Sequence, residues 1–181
     1  MSEYDLLVAH SQARIQREKK SRTIAQWRTC VYHGDKNLAF ANLKGCDLKD
    51  IDLSGADLTN AQLESADLRG ANLENAVLTG ANLKNAYCKQ TNLKGANLKE
   101  ADLRGTYFHY ADLSGAEELT SEQLLSVTTL YKARIDKKLF DAVKADNPKK
   151  LNNPKNNWTR KIFDDTGEPT SIKTADPSKF K

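Results

Sequence analysis

From Lys36 to Gly115 one apolar residue recurs at every fifth position, beginning at Leu38 and ending at Leu113. Fourteen of these sixteen centres are leucine, with Cys88 and Phe108 as the exceptions. Two positions before the centre stands alanine in eleven units, replaced by Lys36, Cys46, Ile51, Thr91 and Thr106 in the others. The remaining positions are mostly polar, as in ANLKG, ADLTN and ADLRG. Neither regular period accommodates this pattern. On a helix a step of five turns through about 500°, which spreads the leucines round the cylinder. On a continuous strand an odd step throws successive leucines onto opposite faces. Within one unit, however, the small residue and the leucine are two apart and face the same side of a short extended segment. The next two residues then turn a corner. Ten of the sixteen units end in Gly or Asn, such as Gly45, Asn60 and Gly70, the residues that reach positive φ most cheaply. The pattern predicts a mainly β chain, wound as extended segment and corner in alternation around a leucine core.

Uninterrupted A(D/N)LxG units over about 80 of 181 residues resemble the pentapeptide-repeat family. The resemblance implies a right-handed quadrilateral β-helix with four units per coil, so sixteen units make four coils. At the usual strand spacing of about 4.8 Å the stack is about 19 Å tall. Leu43, Leu63, Leu83 and Leu103 then share one interior column, and Leu53, Leu73, Leu93 and Leu113 another. Each buried leucine contributes about 1.5–3 kcal/mol before chain entropy is counted.

A solenoid has open ends whose unpaired backbone groups invite another copy, and the flanks read as covers for them. Residues 1–35 form an N-terminal helical cap, 36–115 the solenoid, 116–146 a C-terminal helical cap and 147–181 an irregular tail. The register breaks after Gly115, where the next centre would be Glu118. Thr120 followed by Gln123 reads as a capping box opening a short helix through Leu124 and Leu125. A second helix is expected from Asp136, with Leu139, Phe140 and Val143 on one face, ending near Asn147–Pro148. The stretch LTSEQLLSVTTLYKARI resembles the helical C-terminal extension of many pentapeptide-repeat proteins, and IAQWR at 24–28 resembles the Trp-Arg element that precedes the first coil. Residues 2–29 read as one long helix. In the tail the anchors are Trp158, Ile162 and Phe163, and DDTGEP at 164–169 signals a turn.

Charge and composition narrow the function. The net charge is +4, distributed as +2 over residues 1–35, −1 over 36–115 and +3 over 116–181. This is too weak to imply nucleic acid as a partner. No apolar run approaches 18 residues, and Leu6–Ala9 is too short for a secretory signal and follows Glu3 and Asp5, so neither membrane nor secretion is implied. Cys30, Cys46 and Cys88 form no CxxC pair; a cytoplasmic protein with reduced thiols is expected. Cys88, at a centre position, reads as a small hydrophobe. Cys46 falls on the same face two coils lower, about 10 Å away, too far for a disulfide.

The three histidines, His10, His33 and His109, lie in three different regions with no ligand spacing between them. Asp47 and Asp67 stack on one face, where they either attract a cation or hydrogen-bond their own corners, and the second is the preferred reading. No catalytic residues, cofactor or metal are expected, and the chain reads as a non-enzyme. The surface columns carry the functional hint. The residue after each centre on the third face is Lys49, Arg69, Lys89 and then His109, with Tyr87, Tyr107 and Tyr110 beside the upper half. This column is either a face for an acidic or phosphorylated partner or a solvated surface, with Asp47, Asp50 and Asp67 neutralising its lower half. The leading reading is a monomeric, non-catalytic interaction scaffold that presents flat β-solenoid faces to an unidentified protein. The alternative follows from the resemblance: some family members mimic duplex DNA and shield DNA gyrase from quinolones. Such mimicry needs a long, strongly acidic rod, from which this nearly neutral repeat departs.

Overall fold

The computed structural model describes residue 29 and residues 31–151. The expected long helix over 2–29, except Thr29, and the Trp-Arg element at 24–28 lie outside the described residues, as do the tail anchors and the turn at 164–169. Thr29, Val31 and Tyr32 are helical, and the chain leaves that turn through Gly34 at φ +77°.

From Asn37 to Asn97 the second residue of every unit bridges the same position one turn later, always in parallel. Asn37 pairs with Asp57, Asn42 with Gln62, Asp47 with Asp67 and Asp52 with Asn72. The step is therefore twenty residues, with four bridged segments in each turn, and the walls of the solenoid can be numbered from these four. Each wall has one hydrogen-bonding logic. The centre N–H donates up to the carbonyl of the bridging residue above, as Leu43 does to Gln62 at 2.8 Å, and the bridging N–H donates down, as Gln62 does to Ala41 at 2.8 Å. Extended segments of three residues are too short to be stable alone. Stacking satisfies their backbone groups, so the fold is cooperative along its axis.

The interior follows the expected columns. Leu43, Leu63, Leu83 and Leu103, and likewise Leu53, Leu73, Leu93 and Leu113, are all buried. On the third wall the centres run Leu48, Leu68, Cys88, Phe108, so a small residue lies beneath a large one and the column keeps its volume. Thr91 and Thr106 replace alanine without leaving a hydroxyl stranded. Their Oγ1 atoms donate to the carbonyls of Leu68 and Leu83, each at 2.8 Å. The fifth residue of all sixteen units has positive φ, including Phe40, Asp50, Ser65, Gln90, Glu100 and Tyr110, which are neither Gly nor Asn.

The wall does not stop at Gly115. Asn97 bridges Glu117 at the usual step, but Tyr107 pairs with Thr129 and Asp112 with Arg134, steps of 22. Between these pairs the chain forms helix α1, Ser121–Ser126, opened by a Thr120/Gln123 capping box. This helix lies where the second wall would continue, and it lengthens the turn by two residues. Glu118 takes a positive φ of 54° and is exposed, so Leu119, one position later, is the buried residue. Beyond α1, residues 128–132 (TTLYK) and 133–137 (ARIDK) continue the third and fourth walls, with Leu130 and Ile135 buried as centres. The segment 116–146, expected to be helical, is thus a hybrid: short helix, two more repeat-like units, then helix α2, Lys137–Asp146. Residues 148–151, assigned to an irregular tail, form a 3-10 turn, Pro148–Leu151, that meets the solenoid. Lys150 accepts from the Leu130 N–H at 2.9 Å through its carbonyl and donates its ammonium to the Val127 carbonyl.

Candidate interaction surface

Outward side chains on the third wall come in two parallel columns, one from the bridging position and one from the residue after the centre. The first column runs Asp47, Asp67, Tyr87, Tyr107, Thr129. The second runs Lys49, Arg69, Lys89, His109, Tyr131. The corner residues beside them are Asp50, Gly70, Gln90, Tyr110 and Lys132.

In the lower half acid and base satisfy one another. Asp47 accepts from the Lys49 ammonium at 3.0 Å, and Asp67 grips the Arg69 guanidinium with both oxygens, at 2.8 and 2.6 Å. Lys49 also reaches Asp67 across the turn at 3.7 Å. The Lys49 and Arg69 partners hold the Asp47 and Asp67 carboxyls below their usual range and push the two basic groups up. Each aspartate also accepts a hydrogen bond from its own corner, the backbone N–H of Lys49 or Arg69, at 3.3 Å. Of the two readings for Asp47 and Asp67, the corner-bonded one describes this arrangement. No cluster of metal-ligating side chains occurs among the described residues.

In the upper half the same columns become aromatic. The rings of Tyr87 and Tyr107 stack at 5.3 Å with an interplanar angle of 11°. Tyr131 stands edge-on to both His109, at 6.1 Å, and Tyr110, at 5.7 Å. Lys132 lies over the rings of Tyr110 and Tyr131, 4.9 and 5.4 Å from their centroids, and donates to the Tyr110 hydroxyl at 3.3 Å. Tyr87 and Tyr110 remain 48% and 41% exposed, so the cluster is open to solvent. Burial, and then the charge of Lys89, lower the His109 pKa, so this ring is neutral near pH 7. The column from Lys49 to His109 thus has a charge-balanced lower half, where the expected neutralisation falls to Asp47 and Asp67, and an aromatic upper half edged by the cations Lys89 and Lys132.

Tyr131 and Lys132 were not among the residues that the repeat pattern singled out. They belong to the unit TTLYK, hidden by the two extra residues that α1 introduces. The signal that would have found it is the spacing of Leu130 and Ile135, five apart, each preceded by two residues of a repeat-like unit.

Cys88 is fully buried, and burial pushes its thiol up to about 12; at neutral pH it carries no thiolate to act as a nucleophile. Among the described residues no helix is long and apolar enough to cross a membrane.

Comparison with known proteins gives a consistent family. The model of pentapeptide repeats matches in eight copies, over residues 37–75, 56–87 and 81–117. No curated protein matches the chain in sequence. Among solved structures, a pentapeptide repeat protein, Rfr23, from the cyanobacterium Cyanothece 51142 is 40% identical, with 54% of this chain and 58% of that one covered and a TM-score of 0.37. HetL, involved in heterocyst differentiation regulation in the cyanobacterium Nostoc sp. strain PCC 7120, is 24% identical over 64% of this chain and 57% of its own, with a TM-score of 0.41. QnrB1, a plasmid-mediated fluoroquinolone resistance protein, is 20% identical over 59% and 63%, with a TM-score of 0.29. The chain spans less than three fifths of the first two of these proteins.

Proposed function

Because residues 37–117 belong to the pentapeptide-repeat family, whose members fold as right-handed quadrilateral β-helices, we propose that this chain is a non-catalytic scaffold for binding another protein. The observation that carries the reading is the exposed aromatic cluster on the third wall, held on a backbone fixed by hydrogen bonds from the turns below and above. A rigid face of amphipathic rings loses little entropy when covered, which suits it to a protein interface. On the same reading α1, α2 and the 3-10 turn close the high-numbered end of the coils, and the protein acts as a monomer in the cytoplasm. The buried Cys88 thiol, kept protonated, fits a scaffold better than an enzyme.

Mimicry of duplex DNA is the second reading. It requires ranks of unpaired carboxylates, whereas Asp47, Asp67 and Asp102 are each tied to a Lys or Arg of their own unit. The experiment compares both readings directly. The intact protein at micromolar concentration is expected neither to inhibit supercoiling by DNA gyrase nor to relieve quinolone poisoning. In parallel, immobilised protein should retain a specific partner whose binding is lost on substituting third-wall residues and kept on substituting Lys99 of the first wall. Gyrase inhibition by the unaltered chain would overturn the ranking.

A further inference from the structure

The third wall changes character between its second and third turns, and the change identifies what it fits. Below, Asp47, Lys49, Asp67 and Arg69 neutralise one another. Above, five rings gather within one patch: Tyr87 on Tyr107, with His109 and Tyr110 against Tyr131. Lys89 and Lys132 edge that patch, and neither makes an ion pair among the described residues. Every carboxylate on this wall lies in the lower half; on the fourth wall Asp112 is paired with Arg134 at 3.2 Å, and Asp136 accepts from the Gly115 N–H at 3.1 Å. The upper half is therefore aromatic and cationic, with no negative counterpart of its own.

A second observation bears on the same residues. Tyr110 has φ 58° and Lys132 has φ 55°, a left-handed conformation that strains any residue carrying a Cβ. Seven of the sixteen repeat corners use glycine here. Placing two large side chains at adjacent strained corners, so that an ammonium lies over an exposed ring, is costly for the fold alone.

We propose that this patch is a docking site for an extended acidic segment of a partner protein. Its carboxylates meet Lys89 and Lys132, and its apolar side chains lie on the Tyr87–Tyr107 stack and on Tyr110. The inference deepens the scaffold reading and rests on it. Charge complementarity selects this occupant. Nucleic acid draws its affinity from neutralising many phosphates, and two cations beside paired aspartates offer too little. Two cations do match a short run of Glu or Asp, and neutral His109 adds polar surface without adding charge.

The test uses the full chain and a fluorescently labelled ten-residue peptide of alternating Glu and Leu. Controls are the same peptide with Gln for Glu, a single-stranded oligouridine, and vesicles of phosphatidylcholine with phosphatidylserine. The acidic peptide should bind about tenfold or more tightly than the Gln peptide, and its affinity should fall as salt is raised. The double variant Lys89→Glu, Lys132→Glu should weaken it by a similar factor, while Lys99→Glu on the first wall should leave it unchanged. Tyr110→Gly separates docking from folding: it should melt at the same or a higher temperature, because strain is relieved, yet lose the peptide. Equal binding by the double Glu variant, no binding of the acidic peptide, or tighter binding of the oligouridine or vesicles overturns the assignment. A captured protein partner that is indifferent to Lys89, Lys132 and Tyr110 but lost on altering another wall would overturn the patch and leave the scaffold reading standing.

Discussion

At the scale of single residues, the fifth position of each unit carries more information than a preference for Gly or Asn. A Cβ on Gly80 would collide with the Asn60 side-chain oxygen one turn below, whose Cγ lies 3.4 Å away, and Gly70, Gly95 and Gly105 stand in the same relation to Asp50, Asn75 and Asn85. Gly55 has open space around it at nearly the same φ, +63° against +66°. Gly55→Ala should therefore cost about 1–2 kcal/mol, the penalty of left-handed backbone. Gly80→Ala must also swing the tip of the Asn60 side chain aside, an excess of up to about 1 kcal/mol for a displaced rotamer, and adding Asn60→Gly should remove that excess. Denaturant titration of the parent, Asn60→Gly, Gly80→Ala and the double variant measures the coupling. His109 supplies a second residue-level prediction. Its folded pKa lies below the unfolded value of about 6.5, so around that pH the native state binds fewer protons than the unfolded chain. Stability should fall as pH is lowered from 7 towards 5, and His109→Gln should flatten that part of the profile. The carboxylates act in a separate window: Asp67 and Asp102 have lowered values, so the stability they confer holds above their unfolded range near pH 4 and is lost below it.

Among the elements, α1 shows how a local motif is adapted to its place. Gln123 completes the capping box by accepting from the Thr120 N–H at 2.9 Å, and its amide also donates to the carbonyls of Leu98 and Ala101, both at 2.9 Å. A glutamate would serve the box equally well on an isolated helix. Here Gln123→Glu removes both donors and faces two carbonyls with a carboxylate, so it should lower stability by about 1–3 kcal/mol, measured by thermal unfolding at neutral pH. Fold and candidate site were unequally readable in the sequence for the same physical reason. Leu38 to Leu113 repeat without a gap, because each must fill an interior place of fixed spacing, and the columns follow by counting. Thr120 and Gln123 were readable because a capping box is a local contact. The units at 128–137 were missed because α1 substitutes for a wall and shifts the count by two. The pairing of Lys49 and Arg69 with aspartates two residues earlier depends on rotamers that spacing does not specify. Tyr131 inherits both difficulties.

At the scale of the molecule, the proposed role of the segment after Gly115 is to keep a stack of parallel walls from lengthening by adding copies. Removing residues 116–181 would bare the backbone groups of the last regular turn and the Phe108 beneath it. Light scattering should find the full chain monomeric and the shortened one dimeric or aggregated; equal monodispersity would refute the capping role. The twenty-residue turn also has a consequence for how such a chain can change. Loss or gain of twenty residues returns every later side chain to its wall, only displaced along the axis. Loss or gain of a single five-residue unit leaves the leucine core intact but rotates everything beyond it by a quarter of a revolution. The tyrosine patch would then sit above a different set of columns, and Gly80 would no longer lie over Asn60. The pentapeptide is thus the unit of spelling, whereas inheritance must edit the chain in whole revolutions if its faces are to keep their neighbours.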